Sequence, residues 1–249
     1  MGAAAMTDER QRELAAGLAA VRERIAAACG AAGRPSDSVT LIVVTKTYPA
    51  QDVVRLAGLG VAEVGENRDQ EAAAKAAAVA AAGAAVRWHF IGQLQRNKCR
   101  SVVGYADMVH SVDSVRLATA LGAAAAAGRV GAGRLDVLAQ VSLDGLSHRG
   151  GAVAGDAVAP DRQLDRVLAA IAADDALRLR GLMAVAPPAP SAGPAFARLG
   201  ALFAAVRQRY PQVDVLSAGM SGDLEDAVAH GATHLRIGSA VLGARAALE

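Results

Sequence analysis

From Val39 to Thr45 the chain runs VTLIVVT, seven residues rich in β-branched side chains, and then stops on Lys46. Such a run predicts a buried strand feeding a loop, with Tyr48-Pro49 to turn it. Ahead of it, apolar residues fall at Leu14, Leu18, Val21 and Ile25, spacings of four, three and four that make one helical stripe. They predict a helix from Asp8 to Cys29, capped by Thr7 or Asp8, ended by Gly30 and Gly33, and packed across one end of the remaining fold.

The same unit then repeats. Helix 51–59 leads to strand 61–64, ending in Gly65-Glu66-Asn67. An alanine-rich helix leads to strand 86–91, ending in Gly92-Gln93. A helix carrying Asn97, Lys98 and Cys99 precedes strand 106–110, after which Asp113 or Ser111 is expected to cap the next helix. Strand 135–141 ends at Ser142, and a glycine-rich loop covers 144–160. Helix 161–172, strand 177–185 and a proline-rich loop from Pro187 to Pro194 come next. A helix then carries Phe196, Leu199, Leu202, Phe203 and Val206. Strand 213–216 opens into Ser217-Ala218-Gly219-Met220-Ser221, helix 224–230 succeeds it, and strand 234–237 runs into Gly238-Ser239. Eight strands alternating with helices fit a (β/α)8 TIM barrel with an extra N-terminal helix. The rival is an open doubly wound sheet, but Lys46-Thr47-Tyr48-Pro49 stands where its glycine-rich turn belongs.

Composition narrows the function. With 249 residues and a net charge of +2, the chain suits one large α/β domain or two small ones, of which a single domain is expected, and carries no electrostatic footprint for nucleic acid or an anionic membrane. Alanine inflates the apolar content, so its runs read as helix faces and not as membrane spans. Cys29 and Cys99 have no metal-ligand spacing, and no signal peptide is visible, so a cytoplasmic protein is expected. Residues 1–6 and 247–249 are expected to be flexible.

In a barrel the C-terminal ends of the strands share one face, and that face holds the site. Here it collects Lys46, Asn67, Gly92, Ser111, Ser142, Met183, Ser217, Arg236 and Gly238. A partly desolvated lysine at a strand mouth can form a Schiff base with an aldehyde. The loops after strands seven and eight, SAGMSGD and IGSAV, have the small and hydroxyl-bearing residues of a phosphate cup. Arg236 would share a face with His234 and Gly238, where it either joins a core ion pair or donates to a ligand ring nitrogen. Together these describe pyridoxal 5′-phosphate, PLP.

The segments LIVVTKTYP, VGENRDQEAAAK, WHFIGQLQRNK, HSVDS, GLMAVAPP and LSAGMSGDLEDAVAHGATHLRIGSAVLGAR resemble, in order, those of the pyridoxal phosphate homeostasis proteins. These are single-domain PLP-binding proteins similar to the barrel of alanine racemase. The likeness spans Val39 to Arg245. It implies that Lys46 carries PLP as an aldimine and that Arg236 faces the pyridine nitrogen. It further implies that Ser217, Ser221, Gly238 and Ser239 hold the phosphate, and that Asn67 and Met220 lie close to the ring. His89 and Ser142 would line the mouth, although a packed strand residue is the plainer reading of His89. Two departures stand out. Ser142 and Asp144 replace the usual residues after strand five, with His148 near an expected lysine, and Ala218 replaces a methionine.

An arginine donor keeps the ring nitrogen unprotonated, which weakens the ring as an electron sink. A racemase also needs a second acid/base, and neither Tyr48 nor His89 is assigned that place by sequence. By the family comparison, alanine racemase draws it from a partner subunit and an additional β domain, for which this chain, ending just beyond Arg245, has no room. The expectation is therefore a monomeric protein that stores, buffers or delivers PLP, transiently meeting PLP-dependent apo-enzymes, with little or no turnover. The alternatives are a small PLP-dependent amino-acid racemase and a PLP-free Schiff-base aldolase acting on a sugar phosphate.

Overall fold

The computed structural model describes residues 3–144, 150–155, 158–187 and 192–243. His148 and Arg245 lie outside the described residues. Eight strands form a closed parallel barrel in sequence order: β1 (Thr40–Val44), β2 (Glu63–Glu66), β3 (Arg87–Phe90), β4 (Met108–Val112), β5 (Leu135–Val141), β6 (Leu177–Ala184), β7 (Val215–Ser217) and β8 (His234–Ile237). The barrel expected from the alternation is thus present, and β8 closes on β1 with Ile42 beside Arg236.

The helices are α1 (Ala3–Ala31), α2 (Ala50–Gly58), α3 (Asp69–Ala81), α4 (Cys99–Val102), α5 (Val115–Gly128), α6 (Leu164–Ala172), α7 (Ala192–Arg209), α8 (Leu224–Ala229) and α9 (Ser239–Leu242). α1 starts before the expected Asp8, because the alanines ahead of it are strong helix formers that need no cap at Thr7. Likewise α7 begins at Ala192, inside the stretch expected to be a loop. The cap of α5 also differs from expectation. The Ser114 hydroxyl accepts from the Leu117 N–H at 3.3 Å, whereas Asp113 accepts from Gly151 N–H and Arg162 and pins the next loop.

α1 does not cross an end of the barrel. The helix after β8, α9, is one turn long and cannot cover the seam between β8 and β1. The stripe Leu14, Leu18, Val21 and Ile25 fills that gap, buried against α8 and α9. Polar clamps fix it there. Arg10 bonds Asp52 on α2 at 2.7 Å and the Leu242 carbonyl at 3.2 Å, and Arg24 bonds Glu225 on α8 at 2.8 Å. Gly17 is required at the crossing, since a Cβ there would stand 2.4 Å from the Val241 carbonyl oxygen.

Inside the barrel, Met108, Leu138, Met183 and Val215 form a small apolar layer separate from the main core between strands and helices. Below it the N-terminal end is closed by charge. Asp136 takes Arg178 at 2.5 Å and Arg180 at 2.8 Å, Arg180 also takes Asp214 at 2.7 Å, and Arg87 reaches Glu63 at 3.3 Å. With that floor plugged, the open end is the one where the strands' carboxyl ends meet.

Candidate functional site

Lys46 follows β1 and is half-buried at the open end. Its backbone is held by a buried cluster that sequence patterning does not reveal. The Thr45 hydroxyl donates to Glu66 at 2.6 Å. Lys75 on α3 donates to Glu66 at 2.5 Å and to the Thr45 carbonyl at 2.8 Å. Glu66 is wholly buried and Lys75 nearly so. The GENRDQEAAAK segment therefore supplies the buttress under Lys46 as well as Asn67. Beyond it, Thr47 has φ of 71°, the only non-glycine at positive φ among the described residues. A β-branched residue in that region costs on the order of 1–3 kcal/mol and is typical of functional turns.

β8 meets the same spot from the other side. A Cβ at Gly238 would come within 3.2 Å of the Val44 carbonyl oxygen, so Gly238 lies against the end of β1 and Ser239 follows it as the first residue of α9. Asn67 is locked in a similar way, because a Cβ at Gly92 would overlap its backbone. Gly219, at φ of 93° and with no room for a side chain, lets the loop after β7 turn and place its carbonyl on the Arg236 N–H at 3.0 Å. Met220 is exposed, its N–H on Asp223 at 2.6 Å, and the Ser221 carbonyl is drawn outward to Arg24 at 3.2 Å.

Arg236 is the unusual member. It is 5 % exposed, and among the described residues no carboxylate lies within ion-pair distance. Its Nη1 donates to Ser217 Oγ at 2.6 Å and its Nη2 to the Ala184 carbonyl at 2.9 Å. Burial lowers its pKa to about 10, still leaving a cation at neutral pH. A buried guanidinium bonded to neutral acceptors alone retains donors for a ligand acceptor. Ser217 differs from expectation. Its hydroxyl is fully buried beneath Arg236 and also bonds His110 Nδ1 at 3.0 Å, so it faces the barrel interior and not the loop that carries Ser221. Ser142, by contrast, bonds Asp144 at the rim.

The two acid/base candidates are both engaged. Tyr48 gives its hydroxyl to the Gly243 carbonyl at 2.8 Å. His89 sits inside the barrel, with Nε2 on Glu63 at 2.5 Å and Nδ1 on His110 at 2.8 Å. Burial alone would raise the Glu63 carboxyl. The hydrogen bond from His89, with the charge of Arg87 beside it, outweighs it and holds the pKa below the usual value. Burial lowers His110 well below an ordinary histidine, helped by His89 and Arg236, and lowers His234 to about 4.

These depressed histidines make stability pH-dependent. In the unfolded chain each binds a proton near pH 6.5, whereas in the fold each stays neutral. Their contribution is thus complete above 6.5 and is lost as pH falls toward 4 and below. Thermal unfolding of the ligand-free protein should show a falling midpoint across that window, with a shallower fall in His234→Gln. A midpoint flat from pH 7 to pH 4.5 would contradict this.

Among the described residues no cluster of His, Cys, Asp and Glu has metal-binding geometry, and no helix is long and apolar enough to cross a membrane. The sequence profile of the alanine racemase N-terminal domain matches residues 17–246. The pyridoxal phosphate homeostasis protein of Mycobacterium bovis is 45% identical, covering 95% of each chain. That of Escherichia coli K12 is 37% identical, covering 94% of this chain and 97% of its own. PipY of Synechococcus elongatus, solved with PLP bound, is 34% identical with a TM-score of 0.75, covering 92% of this chain and all of PipY. The chain therefore belongs to the alanine racemase N-terminal domain family, among the relatives called pyridoxal phosphate homeostasis proteins.

Proposed function

We propose that this chain binds PLP at the open end of the barrel, covalently attached through Lys46, and serves in the homeostasis of the cofactor by storing, buffering or delivering it. The observation that carries the reading is Arg236, a buried cation with no carboxylate partner among the described residues, one strand away from the lysine-bearing end of β1. Bound PLP supplies an aldehyde for the lysine and a pyridine ring that withdraws electrons. Arg236 would donate to the ring nitrogen. Gly238, Ser239 and Ser221 would hold the phosphate, and Asn67 and Met220 would flank the ring. Ser217 belongs to this site as the support of Arg236.

Little or no turnover is expected from the same residues. A guanidinium facing the ring nitrogen opposes its protonation, and the Tyr48 hydroxyl and the His89 ring are committed elsewhere. In this reading the protein works in the cytoplasm as a monomer and hands PLP transiently to apo-enzymes. Purified protein mixed with PLP is expected to develop a visible absorption band that borohydride abolishes, and to exchange no α-proton of any amino acid for deuterium faster than free PLP does. Exchange well above that rate would make it a racemase. A colourless protein that traps a sugar phosphate on borohydride treatment would make it an aldolase.

A further inference from the structure

A line of hydrogen bonds runs through the barrel interior from floor to mouth: Glu63, His89, His110, Ser217, Arg236, joined at 2.5, 2.8, 3.0 and 2.6 Å. The residues come from β2, β3, β4, β7 and β8. All of them are buried except Glu63, which is mostly so. The ends fix its direction. Arginine can only donate, and an ionised carboxylate can only accept. Ser217 Oγ accepts from Arg236, so its single proton needs another acceptor. Among the described residues that acceptor is His110 Nδ1. His110 must then carry its proton on Nε2 and donate to His89 Nδ1, and His89 must donate from Nε2 to Glu63. Every donor and acceptor is satisfied in this one orientation.

A proton added to His89 would break the arrangement. His89 Nδ1 would become a donor, His110 would have to switch tautomer, and Ser217 would receive two donors with no acceptor for its own proton. An orphaned hydroxyl in a fully buried position is costly. The groups facing the chain from neighbouring strands are Arg87 beside Glu63, His234, and Arg180 and Asp214 beyond it, with Asp223 near Arg236.

We propose that Ser217, His110, His89 and Glu63 are positioning residues for Arg236, a one-way chain that holds the guanidinium in place and passes the pull of a carboxylate at the barrel floor up to the donor for the cofactor's ring nitrogen. The proposal rests on the PLP reading above for its last link only. The rest concerns this chain's own atoms.

Two readouts test it separately. In the protein without cofactor, imidazole ¹⁵N spectra are expected to show neutral His110 with its proton on Nε2. The Arg236 Nη protons are expected to exchange about tenfold faster in Ser217→Ala, about the weight of one charge-assisted hydrogen bond, with Ser217→Thr restoring slow exchange. In the PLP-loaded protein, Ser217→Ala and Glu63→Gln are both expected to lower the pH midpoint of the visible band by about one unit, a tenfold change in the ratio of the two forms. The reason is that a ring nitrogen released from its donor takes up a proton, whose charge disfavours the protonated lysine linkage. Proton on His110 Nδ1, or Arg236 exchange unchanged in Ser217→Ala, overturns the chain. A midpoint unmoved in both variants overturns its reach to the cofactor. If the wild-type protein takes up no PLP, the functional reading fails, and the first readout still decides the chain.

Discussion

Replacing Lys75 with methionine should destabilise the protein by about 3–5 kcal/mol, the cost of leaving one partner of a buried ion pair uncompensated. Lys75 is the only cation bonded to Glu66 among the described residues, and the second Glu66 oxygen already lacks a partner there. Because Lys75 also ties down the Thr45 carbonyl, the variant should lose order at the β1 end and so hold PLP poorly. The double variant Glu66→Leu with Lys75→Met removes both charges and should recover most of the stability, since a well-packed apolar pair often equals a buried ion pair. Urea unfolding of the two single variants and the double variant measures this. A Lys75→Met cost below about 1 kcal/mol would show that the pair carries little.

Lys46→Ala should abolish the visible band and the borohydride-fixed adduct altogether, while changing the stability of the ligand-free protein by no more than about 1 kcal/mol, as expected for a half-buried side chain at a strand end. Mass spectrometry of the reduced wild-type protein should find the adduct on residue 46. The contrast with Lys75→Met is informative. On the proposed reading the Lys46 variant should lose attachment and keep the fold, whereas the Lys75 variant should lose stability first. A variant lacking Lys46 that stays yellow and keeps a reducible adduct would move the attachment elsewhere.

Much of the barrel is legible in the chain. The run VTLIVVT ending on Lys46, and the two small-residue loops after strands seven and eight, announce a barrel and its mouth because hydrophobic period and turn chemistry are local properties. What sequence cannot yield depends on register across strands. Barrel strands are buried on both faces, so nothing local separates an inward histidine from an outward one, and His110 reads as any strand residue. Ser217 reads as a phosphate ligand because a hydroxyl at a strand end looks the same whether it points up or in. The β4 strand adds a register shift between Val109 and Val112, which leaves Ser111, expected at the mouth, buried with no partner for its hydroxyl among the described residues. The Glu66–Lys75 pair lies within one recognisable segment, yet nine residues of separation say nothing of whether two charges meet in water or out of it.

The way α1 seals the seam bears on how the chain comes off the ribosome. Arg24 and Glu225, its partner on α8, are 201 positions apart. At a synthesis rate of about 5–20 residues per second, the apolar stripe of α1 waits on the order of 10–40 s before the surface it covers has been made. During that interval Leu14, Leu18, Val21 and Ile25 are an exposed greasy edge, and nascent chains of this protein should be good clients for a holding chaperone until the last strands emerge.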